Sequence, residues 1–246
     1  FKDMEFVYAG AKEPALKDIS FCAMAGQTIG VIGGTGSGKS TLVNLIPRFY
    51  DAASGQVLVD GTDVREYSLD ELRDKTGVVP QKSVLFKGTL RDNMRWGKQD
   101  ASDEEIYRAL DTAQAREFVD SKGEGLDLYI DQGGHNLSGG QRQRLTIARA
   151  LVRRPEILIM DDSASALDFA TDARLRKAIR ENTGDMTVFI VSQRATTIKS
   201  ADTILVLDEG RLAGMGTHKE LLKDCQVYRE ICLSQLSKEE VERDEQ

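Results

Sequence analysis

The sequence predicts an α/β fold in which a core of mainly parallel strands carries an antiparallel β subdomain and an inserted α-helical subdomain. Residues 28–32 form a short apolar run that stops at glycines, and residues 39–49, which follow, have helical spacing. Several further apolar runs are continuous rather than alternating, which is typical of parallel strands covered on both faces. Between residues 82 and 154 the pattern changes to helices, and this interruption predicts the inserted subdomain.

The expected strands fall into two groups. Residues 4–8 alternate between apolar and polar side chains, and residues 15–21 repeat the alternation after a turn, so we expect an antiparallel pair. The other expected strands are residues 28–32, 56–59, 76–79, 157–160, 187–191 and 203–207.

Capping boxes mark two of the expected helix starts. Ser102 and Glu105 have the spacing of this motif and open a helix with its apolar side chains inward, namely Ile106, Ala109, Leu110 and Ala113. Thr217 and Glu220 repeat the spacing ahead of a closing helical segment.

The domain organisation follows from these elements. We expect a core over residues 1–81 and 155–236 and a helical subdomain over residues 82–154. Residues 237–246 are nearly all polar or charged, so we expect a disordered acidic tail there.

The composition limits the classes of function. The chain has 246 residues, 40% of them hydrophobic, and a net charge of −7, which argues against a general nucleic-acid-binding surface. No apolar run approaches the ~18 residues of a membrane span, and no signal peptide is found. Cys22, Cys225 and Cys232 have no metal-ligand or paired spacing, so we expect reduced thiols. The chain starts at Phe1 and enters a strand at once, so we expect it to come from a longer polypeptide.

A glycine-rich segment follows the strand at residues 28–32. Gly33-Gly34-Thr35-Gly36-Ser37-Gly38-Lys39-Ser40 fits G-x-x-x-x-G-K-[ST] between a strand and a helix, as a phosphate-binding loop requires. The glycines let amides point at phosphate oxygens, Lys39 meets the β- and γ-phosphates, and Ser40 offers a hydroxyl to Mg²⁺. The sequence therefore predicts an ATP and Mg²⁺ site over these residues and Thr41.

A buried strand at residues 157–160 ends in Asp161. We expect this carboxylate to lie beside the phosphate loop and to hold the water shell of the magnesium ion. Without the phosphate loop the signal would be weak, because apolar strands that end in aspartate are common.

A second segment can also contact phosphate. Leu137-Ser138-Gly139-Gly140-Gln141 precedes a helix, and helix amino ends attract anions through free N–H groups and the macrodipole. The sequence therefore predicts two phosphate-contacting surfaces on one chain.

With these motifs the sequence resembles the ATP-binding cassette (ABC) family over residues 4–236. Its LSGGQ signature, twenty residues before Asp161, is highly specific to that family. The resemblance implies a RecA-like P-loop NTPase core and head-to-tail pairing with a second cassette, each ATP lying between one phosphate loop and the other signature. Ser138, Gly139, Gly140 and Gln141 would then serve the nucleotide of the partner.

The resemblance assigns roles to further residues. Tyr8 matches the aromatic residue that stacks on adenine, and Gln81 matches the glutamine that contacts magnesium and senses transport. Residues 165–168, from Ser165 to Asp168, are similar to the loop that crosses the dimer interface, with a helix cap as the alternative. Residues 85–93 look like the exporter version of the segment that meets the membrane domain, which favours an exporter over an importer.

Two positions depart from the family pattern. Hydrolytic members carry a glutamate that polarises the attacking water, but this chain has Asp162, which is one methylene shorter. At the position of the switch histidine it has Gln193, which can hydrogen-bond a γ-phosphate but cannot carry positive charge. His135 and His218 do not replace that histidine. We therefore expect tight ATP binding with slow hydrolysis at this chain's own site.

The leading hypothesis is the nucleotide-binding domain of a heterodimeric bacterial multidrug-type exporter at the cytoplasmic face of the membrane. Its signature would complete the site of a partner cassette that supplies the glutamate and the histidine, and a transmembrane domain would be fused upstream. A mainly regulatory ATP-binding subunit is one alternative. A soluble ABC ATPase that acts on DNA or ribosomes is another, although the long coiled-coil inserts or paired cassettes usual in that class are not found in the sequence.

Overall fold

The computed structural model describes residues 1–163 and 166–245, which form two compact units. The first unit comprises Phe1–Thr76 and the chain from Thr187 onward, and the second comprises Gly77–Met186. In chain order the elements are β1 (Lys2–Phe6), β2 (Leu16–Ile19), β3 (Thr28–Gly33), α1 (Lys39–Asn44), β4 (Ser54–Gln56), β5 (Leu58–Val59), β6 (Thr62–Asp63), α2 (Leu69–Lys75), β7 (Thr76–Val79), β8 (Gly88–Thr89), α3 (Leu90–Arg95), α4 (Asp103–Thr112), α5 (Arg116–Ser121), β9 (Tyr129–Ile130), α6 (Gly139–Leu151), β10 (Ile157–Asp161), α7 (Phe169–Asn182), β11 (Thr187–Val191), α8 (Ala195–Ile198), β12 (Thr203–Asp208), β13 (Arg211–Gly216), α9 (His218–Asp224), α10 (Gln226–Leu233) and α11 (Lys238–Glu245).

Parallel strands form the centre of the first unit, as predicted. Strand β3 lies between β12 and β11 and is parallel to both, while β13 is antiparallel to β12. All five residues of β11 are buried, which explains its continuous apolar run. The antiparallel pairing expected at the amino end is confirmed, because β1 pairs with β2 and also with β4.

Two elements of the first unit are shorter than the sequence predicts. Helix α1 ends at Asn44 because Leu45 and Ile46 donate to carbonyls three residues back, at 3.3 Å each, and Pro47 follows without an N–H. The strand expected at residues 56–59 is divided because its pairing changes. Strand β4 pairs with β1, whereas β5 pairs with β6.

The carboxyl end of the chain differs from the expected disordered tail, because residues Lys238–Glu245 form α11. The Ser237 hydroxyl accepts from the Glu240 amide, and Glu240 Oε2 accepts from the Ser237 amide, so the helix start is capped. Val241 is 1% exposed, and Arg229 Nη1 donates to both carboxylate oxygens of Glu245 at 2.9 and 3.0 Å. One apolar side chain and its flanking polar contacts therefore order a segment that is polar in composition.

The second unit contains the expected helical segment. Helix α4 packs on α6, and the predicted inward side chains of α4 are buried. Its predicted cap at Ser102 is also present. Strands β8 and β9 form a short antiparallel pair, and β10 lies beside β7. The unit extends beyond residues 82–154, since it also includes β7 from Gly77 onward, β10 and α7.

Candidate nucleotide-binding site

The phosphate loop lies in the first unit, between β3 and α1. A Cβ at Gly33 would come 2.1 Å from the Leu207 carbonyl oxygen and 2.5 Å from Ser37 Oγ, so only glycine fits there. Gly38 caps α1 with φ +99°, a left-handed conformation that favours glycine. A Cβ added at Gly34 or Gly36 would meet no atom within 4 Å, so the loop is open at these two residues.

Lys39 closes the loop on itself. Its ammonium donates to the carbonyl oxygens of Gly33, at 2.9 Å, and Gly34, at 2.7 Å, and the residue is only 8% exposed. Ser37 is 5% exposed, and its hydroxyl has no hydrogen-bond partner among the described residues. A buried cation and an unsatisfied buried hydroxyl beside glycine amides are the groups that an anion would bind.

Tyr8 lies next to this loop. Its hydroxyl and the Thr41 hydroxyl are 2.7 Å apart, which ties it to the first turn of α1. Its ring packs edge-on against Phe6 and Tyr50, with centroids 4.7 and 5.4 Å apart, and 39% of the residue stays exposed. An anchored and partly exposed aromatic ring is suited to stack on a base.

Gln193 is brought to the same edge of the sheet. Strands β3 and β11 are parallel with Val31 opposite Val191, so Gly33 and Gln193 each follow that pair by two residues. Because parallel strands end at one edge, the phosphate loop and Gln193 emerge side by side. The Gln193 carbonyl accepts from Gln235 Nε2 at 2.7 Å.

The second unit brings together two residues that the sequence could only assign by resemblance. Gln81 Nε2 donates to Asp162 Oδ2 at 3.2 Å, just after β7 and β10 respectively. Asp162 has φ 45°, a left-handed conformation that aspartate tolerates better than most side chains. Asp161, the last residue of β10, is half-buried.

The signature segment is a helix cap in this structure. The Ser138 hydroxyl accepts from the Gln141 amide at 3.2 Å, and Gln141 Oε1 accepts from the Ser138 amide at 2.9 Å, at the start of α6. Gly139 and Gly140 occupy the first two helical positions. If Gly139 were alanine, its Cβ would lie 3.9 Å from Ala166 Cβ, and a Cβ on Gly140 would lie 3.4 Å from the Ala166 carbonyl oxygen. The signature therefore lies against the chain at Ala166.

Asp168 caps α7. Its carboxylate accepts from the Thr171 amide at 2.9 Å and from the Thr171 hydroxyl at 2.8 Å, and the first of these bonds holds the pKa of Asp168 below its usual range. The helix-cap alternative is therefore what the structure shows for Asp168. Ser165, from the same expected loop, lies outside the described residues.

The predicted magnesium ligands fit that ion in chemistry. Ser40, Gln81 and Asp161 all offer oxygen atoms, which Mg²⁺ prefers. Among residues 1–163 and 166–245 no group of three or more His, Cys, Asp or Glu side chains could hold a metal ion. Magnesium needs no such cluster, since it keeps water and phosphate oxygens and takes one or two protein ligands.

Comparison with known proteins now decides the family. The model of the ABC transporter family matches residues 16–165. The chain belongs to this family. This chain is 49% identical over 233 residues to an uncharacterized ABC transporter ATP-binding protein of Mycobacterium tuberculosis. The match covers 94% of this chain and 40% of that protein. The chain is 43% identical over 238 residues to the ATP-dependent lipid A-core flippase of Haemophilus influenzae, covering 96% and 40%.

A solved structure supports the same placement of this ABC chain. A bacterial Atm1-family ABC exporter with ATP bound superposes with a TM-score of 0.91 at 37% identity, covering 97% of this chain and 42% of that one. The predicted α/β P-loop NTPase fold is thus confirmed. The chain spans about 40% of the length of the curated relatives it matches. No helix in the described part of the chain is long and apolar enough to cross a bilayer.

One residue at the site had no sequence signal. Gln235, after α10, contacts the segment around Gln193 across 40 and 42 positions of sequence. A lone glutamine near a helix end forms no local pattern, so only the folded chain connects it to the site.

Proposed function

We propose that this chain is the nucleotide-binding domain of an ABC exporter, with Mg-ATP held on its own loop and hydrolysed slowly there. The observation that carries this proposal is a complete phosphate loop beside two altered positions, Asp162 and Gln193. Lys39, Ser37 and the loop amides would hold the phosphates, and Ser40, Gln81 and Asp161 would supply oxygen ligands to Mg²⁺, which neutralises phosphate charge when bound. Tyr8 would stack on adenine.

Slow hydrolysis follows from the chemistry of the two altered residues. A general base must reach the attacking water within hydrogen-bond distance, and Asp162 is shorter than glutamate and is engaged with Gln81. Gln193 can donate a hydrogen bond to a γ-phosphate oxygen, but an amide does not protonate near neutral pH. The groups that would bind Mg-ATP are therefore all present at this site, whereas the two groups that would handle protons during hydrolysis are weakened.

The signature supports a second role, in the site of a partner cassette. The amino end of α6 presents amides and the Ser138 hydroxyl, and Ser138 is exposed. In a head-to-tail pair, Ser138, Gly140 and Gln141 would contact the γ-phosphate on the partner's loop, with Asp168 near the interface. A heterodimer partner with glutamate and histidine at the altered positions would then carry most of the turnover.

An exposed aromatic patch supports contact with a membrane domain at the cytoplasmic face. Phe86 and Trp96 pack with ring centroids 4.8 Å apart, and Trp96 is 68% exposed. Arg149 lies over the Phe86 ring at 5.6 Å and donates to the Val84 carbonyl. Exposed aromatic side chains with an arginine are typical of the centre of a protein interface. Phe86 of this patch lies in the segment, residues 85–93, that resembles the exporter type.

Complementation between two copies of the chain tests the division of roles. Copy A carries Asp162→Glu and Gln193→His to restore its own site, and Ser138→Asp to disable the signature it lends. Copy B is unaltered. Aspartate is a good helix cap, so Ser138→Asp keeps α6 capped while its charge repels a γ-phosphate. Each copy alone should hydrolyse ATP slowly, and the mixture should be at least about tenfold faster, since one donor to the charge of a transition state is worth about a hundredfold or more.

The matched variants are made in copy B. Ser138→Asp in copy B should abolish the gain, whereas Ser102→Asp, an equivalent change at the cap of α4, should leave it intact. A mixture that gains nothing, or that is indifferent to Ser138 of copy B, would contradict the shared site. If ATP holds the pair together but the mixture gains no turnover, the regulatory alternative takes its place.

A further inference from the structure

Four backbone groups of the switch segment, residues 192–195, have partners that bear on its position. The Ser192 amide donates to the Val31 carbonyl of β3 at 3.1 Å, and the Arg194 amide donates to the Ser192 hydroxyl at 3.0 Å. The Gln193 carbonyl and the Ala195 amide are both satisfied by one side chain. Gln235 Nε2 donates to the Gln193 carbonyl at 2.7 Å, and Gln235 Oε1 accepts from the Ala195 amide at 2.9 Å.

Gln235 is well placed to act as a fixed clamp. It follows α10, and its amide donates to the Cys232 carbonyl at 3.0 Å. Cys232 and Tyr228 are both fully buried, and the Tyr228 hydroxyl lies 2.7 Å from His218 Nδ1. The helix that presents Gln235 is thus anchored in the core of the first unit, so its amide has little freedom to follow a displaced switch segment.

The Ala195 amide lies at the amino end of α8, and a second contact holds the carboxyl end of this helix. Lys199, which caps that helix at its carboxyl end, has its ammonium 3.5 Å from Asp244 of α11. Asp244 also lies 3.4 Å from His218 Nε2. The short helix after the switch residue is therefore held by the last helices of the chain at both of its ends.

We propose that Gln235 is a positioning residue for Gln193, through which the carboxyl-terminal helices set how well the switch segment meets a γ-phosphate. The inference rests on the proposed function, because it takes Gln193 as the group that contacts the γ-phosphate. The clamp holds the Gln193 carbonyl and the Ala195 amide, so the backbone on both sides of Arg194 is fixed. Gln193 itself can then hold its side chain at the edge shared with the phosphate loop.

The distinguishing consequence is a loss of preference for ATP over ADP. ADP lacks the γ-phosphate, so a displaced Gln193 weakens ATP binding and leaves ADP binding unchanged. Gln235 is itself exposed and water competes for its bonds, so the loss of both bonds should lower the ATP preference by about three- to fivefold. A general loss of structure would weaken both nucleotides together.

The experiment measures Kd for Mg-ATP and Mg-ADP by titration calorimetry on the chain and three variants. Gln193→Ala removes the contact itself and should lower the ATP preference. Gln235→Leu should lower it in the same direction. Gln226→Leu is the matched control, because Gln226 is an exposed glutamine of α10 whose side chain bonds Glu230 and not the switch segment, and it should change neither Kd.

The outcomes separate the two hypotheses. If Gln193→Ala lowers the preference and Gln235→Leu does not, the inference is overturned and the proposed function stands. If Gln193→Ala has no effect, the γ-phosphate role fails and the inference fails with it. An equal loss of ATP and ADP affinity in Gln235→Leu also overturns the positioning role.

Two further measurements guard against misfolding. Hydrogen exchange at the Ala195 amide should quicken in Gln235→Leu and stay slow in Gln226→Leu, and unchanged exchange in Gln235→Leu would contradict the clamp. Gln235→Glu keeps an acceptor for Ala195 but offers the Gln193 carbonyl no donor. It should therefore lose part of the ATP preference, and retention of the original preference would overturn the inference.

Discussion

Lengthening Asp162 should raise ATP turnover at the chain's own site. Under the proposed function, a second copy of the chain would supply the signature for this site, so a homodimer would be sufficient for the measurement. Asp162→Glu adds one methylene, which extends the carboxylate by roughly 1 Å, and a misplacement of that size costs on the order of a hundredfold in rate. With Gln193 unchanged, we expect a gain of about tenfold to a hundredfold.

The backbone at this position reduces the gain and provides the control. Asp162 has φ 45°, which costs a side chain other than Asp or Asn about 1 kcal/mol. Asp162→Glu should therefore lower the free energy of unfolding by about 1 kcal/mol. Asp162→Asn tolerates the same conformation without a base, so it should keep the stability and not raise turnover. Asp162→Gly relieves the conformation and should not raise turnover either.

The assay is phosphate release at saturating Mg-ATP, with urea unfolding of each variant in parallel. Restored hydrolysis must appear only in Asp162→Glu and must increase further when Gln193→His is added. The reasoning is refuted if Asp162→Glu binds ATP and folds normally but turns over no faster than the unaltered chain. It is also refuted if the unaltered chain is fast and Asp162→Ala leaves that rate undiminished.

Three further predictions concern the loop, the last helix and pH. Gly38→Ala should lower the free energy of unfolding by about 2 kcal/mol, because φ is +99° and the new Cβ would lie 2.6 Å from Leu16 Cδ2. Gly34→Ala, which meets no atom within 4 Å, should stay within about 0.5 kcal/mol yet weaken ATP binding measured by calorimetry. Val241→Asp should release α11, seen as fast amide exchange over residues 238–245, at a cost limited to about 1–2 kcal/mol because the helix can detach. Burial lowers the pKa of His218, so urea midpoints should fall as pH drops below its ordinary value of 6.5, and His218→Gln should flatten that decline.

Local signals in the sequence were sufficient for most of the fold. Strands β7 and β11 have the predicted bounds, because a short apolar run between polar flanks is itself the strand. The caps at Ser102 and Thr217 were equally predictable, since both partners of a capping box lie within four residues.

The differences have non-local causes. The division between β4 and β5 depends on which strand each of them pairs with. Helix α11 depends on its packing against α9 and α10, with Val241 buried. Gln235 is the extreme case, because its two bonds cross about 40 residues of chain. At the candidate site, the motifs predicted which residues matter, but the bond from Gln81 to Asp162 and the capping bonds of the signature required the folded structure.

The Lys39 ammonium, bound to the carbonyl oxygens of its own loop, affects how nucleotide binding should be measured. A phosphate that binds Lys39 must replace two carbonyl oxygens that already accept hydrogen bonds from its ammonium. Much of the binding heat at this contact is therefore an exchange of one acceptor for another, and the net enthalpy understates the strength of the final bond. Through these two bonds the lysine also holds the loop in shape, so this segment is ordered when the chain folds and need not be ordered again when ATP binds.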